Sequence, residues 1–249
     1  MFVSDCMSKD PITVQANLKL VKGIDIMAEK NVGSLIVKRN NTTVGVVTER
    51  DIIRELVKVG KIPAYMAAEK MLTTAFVCIS PDISIEDAAK EMFSKKGRLL
   101  VFKDNDLVGV LTVTDFIRVF SKKKKNPSLE KVASMHILTA ASDETVASVL
   151  KIMNEHEVGS VLITEKGTPT GIFTERDLLT RVLYKGDKLT SKVNNFASKP
   201  LITLPLDSGA REAASLMVKK KIKRLPLVSN GKIVGIVTAR DVVEAFVKA

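Results

Sequence analysis

The chain has 249 residues, with 39 Lys and Arg against 28 Asp and Glu, and a formal net charge of +11. Hydrophobic residues make up 45% and aromatics only 4%, with no Trp, so the core must be built from Val, Ile, Leu, Met and Ala. No apolar run approaches the roughly 20 residues of a membrane-spanning helix, "MFVSDCMSKDP" lacks the flank and apolar stretch of a signal peptide, and Cys6 and Cys78 are too few for a disulfide framework or thiolate metal site; a soluble, cytoplasmic protein with no membrane partner is expected.

In chain order, "PITV" is a short β-branched strand, and "NLKLVKGIDIMAEKN" places Leu20, Ile24, Met27 and Ala28 on one helical face. "GSLIVKR" and "TTVGVVT" read as strands separated by the turn signal "NN". "ERDIIRELVKVG" then sets Ile52, Ile53, Leu56 and Val57 at helical spacing, with Gly60 as a stop. The order strand, helix, strand, strand, helix recurs. "EDAAKEMFSKKG", "ETVASVLKIMNEHEVG" and "GAREAASLMVKKK" are first helices, followed by the strands "RLLVF", "SVLIT" and "RLPLV". Cys78, inside "AFVCIS", is expected to be a small core residue.

Each unit ends in a similar corner. "GVVTERD", "GVLTVTD", "GIFTERD" and "GIVTARD" begin at Gly45, Gly109, Gly171 and Gly235, spaced 64, 62 and 64 residues apart. A constant period marks a repeat architecture, and units this small are expected to pair to share a core. The repeats also alternate. Units one and three open the second strand with Ser34 and Ser160, whereas units two and four have Arg98 and Arg224. A shift of 126 residues superposes the first half on the second, the pattern of a duplicated pair. The fold class is therefore α/β (α+β), with modules expected at 1–121 (repeats about 1–60 and 61–121) and 129–249 (repeats about 129–190 and 191–249). A basic linker, 122–128, is expected to be exposed between them.

Elementary chemistry leaves the corner open to two readings. Thr at the N-cap followed three residues later by an acid is a capping-box arrangement, although all four units carry Asp where the box favours Glu or Gln. Equally, a carboxylate can accept both hydroxyls of a ribose diol beside a helix N-terminus suited to phosphate.

The repeat and its Gly-apolar-apolar-Thr-x-x-Asp ending closely resemble the cystathionine β-synthase (CBS) domain, over essentially the whole chain. The resemblance implies four CBS repeats paired into two Bateman modules, an arrangement similar to the γ subunit of AMP-activated protein kinase. It implies an adenosine ligand, AMP, ADP or ATP, with S-adenosylmethionine or NAD as alternatives, and no catalytic cofactor. By resemblance, Thr48 with Asp51, Thr112 with Asp115, Thr174 with Asp177, and Thr238 with Asp241 would hold ribose. Arg98 would serve the Asp51 site and Arg224 the Asp177 site through phosphate. Ser34 and Ser160 would offer weaker contacts to the Asp115 and Asp241 sites, and Arg50, Arg176 and Arg240 would add to phosphate binding. Thr13, Val77, Thr139 and Thr203 would meet adenine through their backbone. Thr114 stands where the other corners have Arg, which makes the Asp115 site the weakest match.

No nucleophile-and-base pair or phosphate-loop motif is present, and His136 and His156 stand at no metal-ligand spacing, so no enzyme activity is expected. The implied function is adenosine-nucleotide sensing read by a protein effector, from a single-chain disc or a homodimer. The net charge supports an alternative, nucleic-acid binding through Lys122 to Lys125 and Lys219 to Lys221 with Lys223. Such binding would be backbone-directed and salt-dependent, and the shortage of aromatics weighs against base stacking.

Overall fold

The computed structural model describes residues 1–63, 65–72, 76–94 and 98–249. After the short strand β1 (Ser8–Lys9), the first repeat runs β2 (Thr13–Gln15), α1 (Leu20–Glu29), β3 (Ser34–Arg39), β4 (Thr42–Thr48) and α2 (Glu49–Val59). The second runs β5 (Phe76–Ile79), α3 (Ile85–Ser94), β6 (Arg98–Lys103), β7 (Asp106–Leu111) and α4 (Val113–Phe120). The third has β8 (Thr139–Ala141), α5 (Val146–Glu155), β9 (Ser160–Glu165), β10 (Thr168–Thr174) and α6 (Glu175–Asp177), and the fourth β11 (Leu204–Pro205), α7 (Ala210–Lys220), β12 (Arg224–Ser229), β13 (Lys232–Thr238) and α8 (Ala239–Lys248). The expected order holds in all four.

The local chemistry explains this regularity. In the first repeat β2 pairs with β3 in parallel across the crossover helix, and β3 with β4 antiparallel. The β3–β4 hairpin turns on Asn40 and Asn41, both at positive φ, the backbone that a two-residue hairpin matching strand twist requires. Gly60 ends α2 in the left-handed conformation, φ 79°, and its N–H donates to the Leu56 carbonyl. The third repeat departs from this pattern after its corner: α6 widens at once into a π-helix, Leu178–Leu183, where Tyr184 N donates to Leu179 O at 3.0 Å. The strand expected at "FVCI" also corrects one residue. Val77 and Ile79 are buried and Cys78 between them is exposed, because alternate side chains of a strand face opposite ways.

The chain divides into two compact units, each drawn from both halves of the sequence. One unit comprises Ile12–Thr74 and Leu138–Leu201; the other comprises Met1–Pro11, Ala75–Ile137 and Ile202–Ala249. Each combines one repeat from each half, because each repeat carries two amphipathic helices whose apolar faces its own small sheet cannot cover.

In the unit built from repeats one and three, Leu20, Ile24, Met27, Ile52, Ile53 and Leu56 share a core with Val146, Val149, Leu150, Met153, Leu178 and Val182. At its joint the two "TERD" corners bind reciprocally. Arg176 Nε lies 2.9 Å from Glu49 Oε1, and Arg50 Nε lies 3.2 Å from Glu175 Oε1. Gly33 leaves room for this clamp, since a Cβ there would stand 3.1 Å from Glu49 Oε2.

The unit built from repeats two and four uses apolar matter instead. Ala88, Ala89, Phe116 and Phe120 pack with Ala213, Ala214, Val242 and Val243, and the rings of Phe120 and Phe246 are 4.7 Å apart. Its corners carry Val113 and Ala239 where the clamp has Glu49 and Glu175. The segment 122–128 is mostly exposed, yet it is also pinned: Asn126 Oδ1 accepts from Arg211 N at 2.9 Å, and Pro127 O accepts from Ala210 N at 2.8 Å, satisfying free N–H groups of α7.

The clamp is therefore predicted to hold repeat one to repeat three. In urea unfolding, Glu49→Ala and Arg176→Ala should each lower stability by about 1–2 kcal/mol, as loss of one partner of a half-buried ion pair does. A double-mutant cycle should return a coupling of about 1 kcal/mol, and additive losses would show that the pair contributes nothing.

Candidate functional site

At each repeat the third strand ends on a Thr with extended backbone, and the helix begins at the next residue, which makes the Thr the N-cap. Thr48 Oγ1 donates to Asp51 Oδ2 at 2.6 Å, Thr48 N donates to the same oxygen at 2.8 Å, and Asp51 N returns a bond to Thr48 Oγ1. Thr112 with Asp115, Thr174 with Asp177, and Thr238 with Asp241 repeat the two bonds to Oδ2 at 2.6–3.0 Å. All four corners are thus capping boxes closed by Asp.

This geometry refines the chemistry expected of the pair. Oδ2 already accepts two bonds. The Thr hydroxyl has given its hydrogen to the Asp, so towards a ligand it can act only as an acceptor. The oxygen left outside the cap is Oδ1. A basic side chain from the next helical turn approaches it at three corners: Arg54 Nη1 at 3.3 Å from Asp51, Arg118 Nη1 at 3.4 Å from Asp115, and Arg181 Nε at 3.4 Å from Asp177. Ser198 Oγ also donates to Asp177 Oδ1 at 3.0 Å. At the fourth corner the residue three beyond the Asp is Glu244, which pairs with Lys248 at 2.6 Å.

Burial raises the Asp241 pKa above its ordinary value, with Glu244 adding to the rise and the Thr238 bonds and Arg240 opposing it. Asp51, Asp115 and Asp177 are buried, at 8%, 2% and 5% exposure.

Positions expected to contact phosphate fall into three groups. Ser34, Ser160 and Arg224 open their strands directly opposite the corner Thr of their own repeat, paired with Thr48, Thr174 and Thr238. Arg98 is exposed at the start of β6, beside Phe76 of the parallel strand. Arg98 and Asp51 belong to different compact units, as do Arg224 and Asp177. Arg50 and Arg176 are engaged in the ion-pair clamp, and the Arg240 guanidinium lies 4.8 Å from the centre of the Phe93 ring. Of the positions expected near adenine, Thr13, Thr139 and Thr203 are exposed at or just before first strands, and the Val77 side chain is buried. Arg54, Arg118 and Arg181 were absent from the expected set. Their signal is a basic residue three or four positions after the Asp, which puts both on one helical face.

Comparison with known proteins places these corners in a family context. The CBS-domain family model matches residues 3–58, 68–122, 129–184 and 193–248, each span containing one Thr–Asp corner. An uncharacterized Methanopyrus kandleri protein is 40% identical over 123 residues, covering 48% of this chain and 63% of that protein. An uncharacterized Methanocaldococcus jannaschii protein is 25% identical over 263 residues, covering 97% of this chain and 61% of its own length. The chain thus spans less than two thirds of these curated relatives. Among solved structures, M. jannaschii MJ1225, proposed as an archaeal homolog of g-AMPK, covers 99% of this chain and 100% of its own at 20% identity and a TM-score of 0.82. An uncharacterized Pyrococcus horikoshii protein covers 98% and 99% at 19% identity and a TM-score of 0.68. At these identities the likeness establishes a shared fold. No helix among the described residues is long and apolar enough to cross a membrane.

The raised Asp241 pKa gives a pH prediction. An acid whose folded pKa exceeds its unfolded one is disfavoured when ionised in the folded state, so stability is lost as pH rises through both values. Carboxyl NMR should find Asp241 titrating above 3.8, and Asp241→Asn should gain on wild type in urea midpoint as pH rises through that range. An Asp241 titration below 3.8 would contradict the burial argument.

Proposed function

The chain belongs to the CBS-domain family, and on that premise we propose that it is a regulatory protein that binds an adenosine nucleotide at its Thr–Asp corners. One observation carries the reading. Four Asp carboxylates are held at helix N-termini in the same orientation, each with Oδ1 outside the capping bonds. That oxygen is an acceptor for a ribose hydroxyl, and the first turn of the helix beside it favours negative charge.

In this reading AMP, ADP or ATP is the ligand, with S-adenosylmethionine or NAD as the alternatives, and ribose rests on the Asp. Arg98 and Arg224 serve phosphate, Ser34 and Ser160 add weaker bonds, and the backbone at Thr13, Val77, Thr139 and Thr203 meets adenine. Ligand binding then shifts the equilibrium between arrangements of the repeats, by no more than its difference in affinity for them, and a protein effector responds. Arg50 and Arg176 contribute to the joint between repeats rather than to phosphate.

The test is thermal unfolding at fixed salt with each candidate ligand, on wild type and Asp51→Ala/Asp177→Ala. A ligand at 100 times its Kd adds about 2.7 kcal/mol if it binds only the folded chain, which raises Tm by about 5–11 °C at this size. One adenosine ligand should produce the shift and the variant should lose part of it. No shift with any of them would reduce the corners to helix caps, worth about 1 kcal/mol each.

A further inference from the structure

Beside the Asp51 corner the surface opens into a groove of about 260 Å³. Two segments of the first repeat form its walls. On α2, Asp51, Arg54, Glu55 and Lys58 line the groove; at i, i+3, i+4 and i+7 they share one helical face. Lys58 therefore lies two turns, about 10 Å, along the axis from Asp51.

The other wall is the 3-10 turn Ala68–Met71 with Leu72, which contributes Lys70 and an apolar floor of Met71 and Leu72. That turn is anchored. Ala68 N donates to Leu18 O at 2.8 Å, Glu69 N donates to Ala16 O at 3.0 Å, and Glu69 pairs with Arg39 at 2.7 Å. Lys70 is thus presented from a fixed position.

The groove has a carboxylate at one end and exposed cations one and two turns away from it. A neutral diol followed by an extended anionic tail matches that order of charges. A monophosphate would reach the first turn; Lys58, at the second, calls for a longer tail. The three matching positions beside Asp177 carry no cation: the residues 126 positions after Arg54, Lys58 and Lys70 are Thr180, Tyr184 and Phe196. There Arg181 Nη1 instead donates to the Phe196 carbonyl at 2.9 Å.

We propose that this groove holds the polyphosphate tail of a nucleotide whose ribose sits at Asp51, with Arg54 nearest the ribose and Lys58 and Lys70 on the distal phosphates. The Asp51 corner then prefers nucleoside di- and triphosphates over the monophosphate, and the Asp177 corner does not. The inference rests on the nucleotide reading above and adds the origin of its phosphate selectivity.

Calorimetric titration of the full chain at constant salt tests it, using AMP, ADP, ATP and inorganic tripolyphosphate. Lys58→Ala/Lys70→Ala, both at exposed positions, should weaken ATP about tenfold at the site that Asp51→Ala abolishes, and AMP by less than about twofold. An unchanged ATP-to-AMP ratio in the lysine variant, with the site still lost in Asp51→Ala, would overturn the groove and spare the corner. Tripolyphosphate binding as tightly as ATP, and indifferent to Asp51→Ala, would also overturn it by making the groove a plain anion patch. No nucleotide binding to wild type would instead remove the reading on which it rests.

Discussion

A repeat of about 60 residues cannot bury two amphipathic helices on one three-stranded sheet, and the rest of this structure follows from that shortfall. Small units bury too little of their surface to be stable alone. Each repeat here completes its core with a repeat from the other half of the chain. Which repeat joins which is specified at the joints. A reciprocal Arg–Glu clamp suits repeats one and three, and an alanine- and phenylalanine-lined face suits repeats two and four. Matching a charged joint with an apolar one would leave Glu49 or Arg176 without its partner at a half-buried position, a larger loss than the clamp's own contribution.

The same short segment serves both joint and corner. In "TERD" the Thr and Asp close the capping box while the Glu and Arg between them reach across to the facing repeat. This division of labour is possible because successive residues of a helical turn point about 100° apart. It also accounts for Gly33, where a side chain would crowd Glu49. The alternation of "VGS" with "TERD" thus reflects one packing requirement spread over two places in the sequence.

Much of the fold was legible because its signals are local. Strand order, the Asn40–Asn41 turn, the Gly60 stop and the four Thr–Asp corners all depend on residues within a few positions of one another. What was not legible depends on long-range partners. The use of Arg50 and Arg176 could not be read from "TERD" alone, since their partners lie about 125 residues away. Cys78 has apolar neighbours in the sequence, but the strand alternation turns it outward between the buried Val77 and Ile79. The basic residues beside Asp51, Asp115 and Asp177 are legible at helical spacing, three or four positions after the acid. The π-helix at Leu178–Leu183 has no counterpart in the sequence pattern, as "RDLLTRVL" reads as an ordinary helix.

Capping alone explains a Thr and an acid at these corners, but it explains neither the choice of Asp nor the depth of burial. A Glu would close a capping box through a longer, more exposed arm. Asp draws its carboxylate back against the strand end, where three of the four are more than nine-tenths buried. Burying a carboxylate is unfavourable unless its oxygens are bonded, and Oδ2 meets that condition through Thr N and Oγ1. At three corners Oδ1 meets it through arginines at 3.3–3.4 Å whose outer ends remain in solvent, and at Asp177 also through Ser198 Oγ at 3.0 Å. Because the cap fixes the position of the carboxylate, a donor that met Oδ1 would not have to order it again.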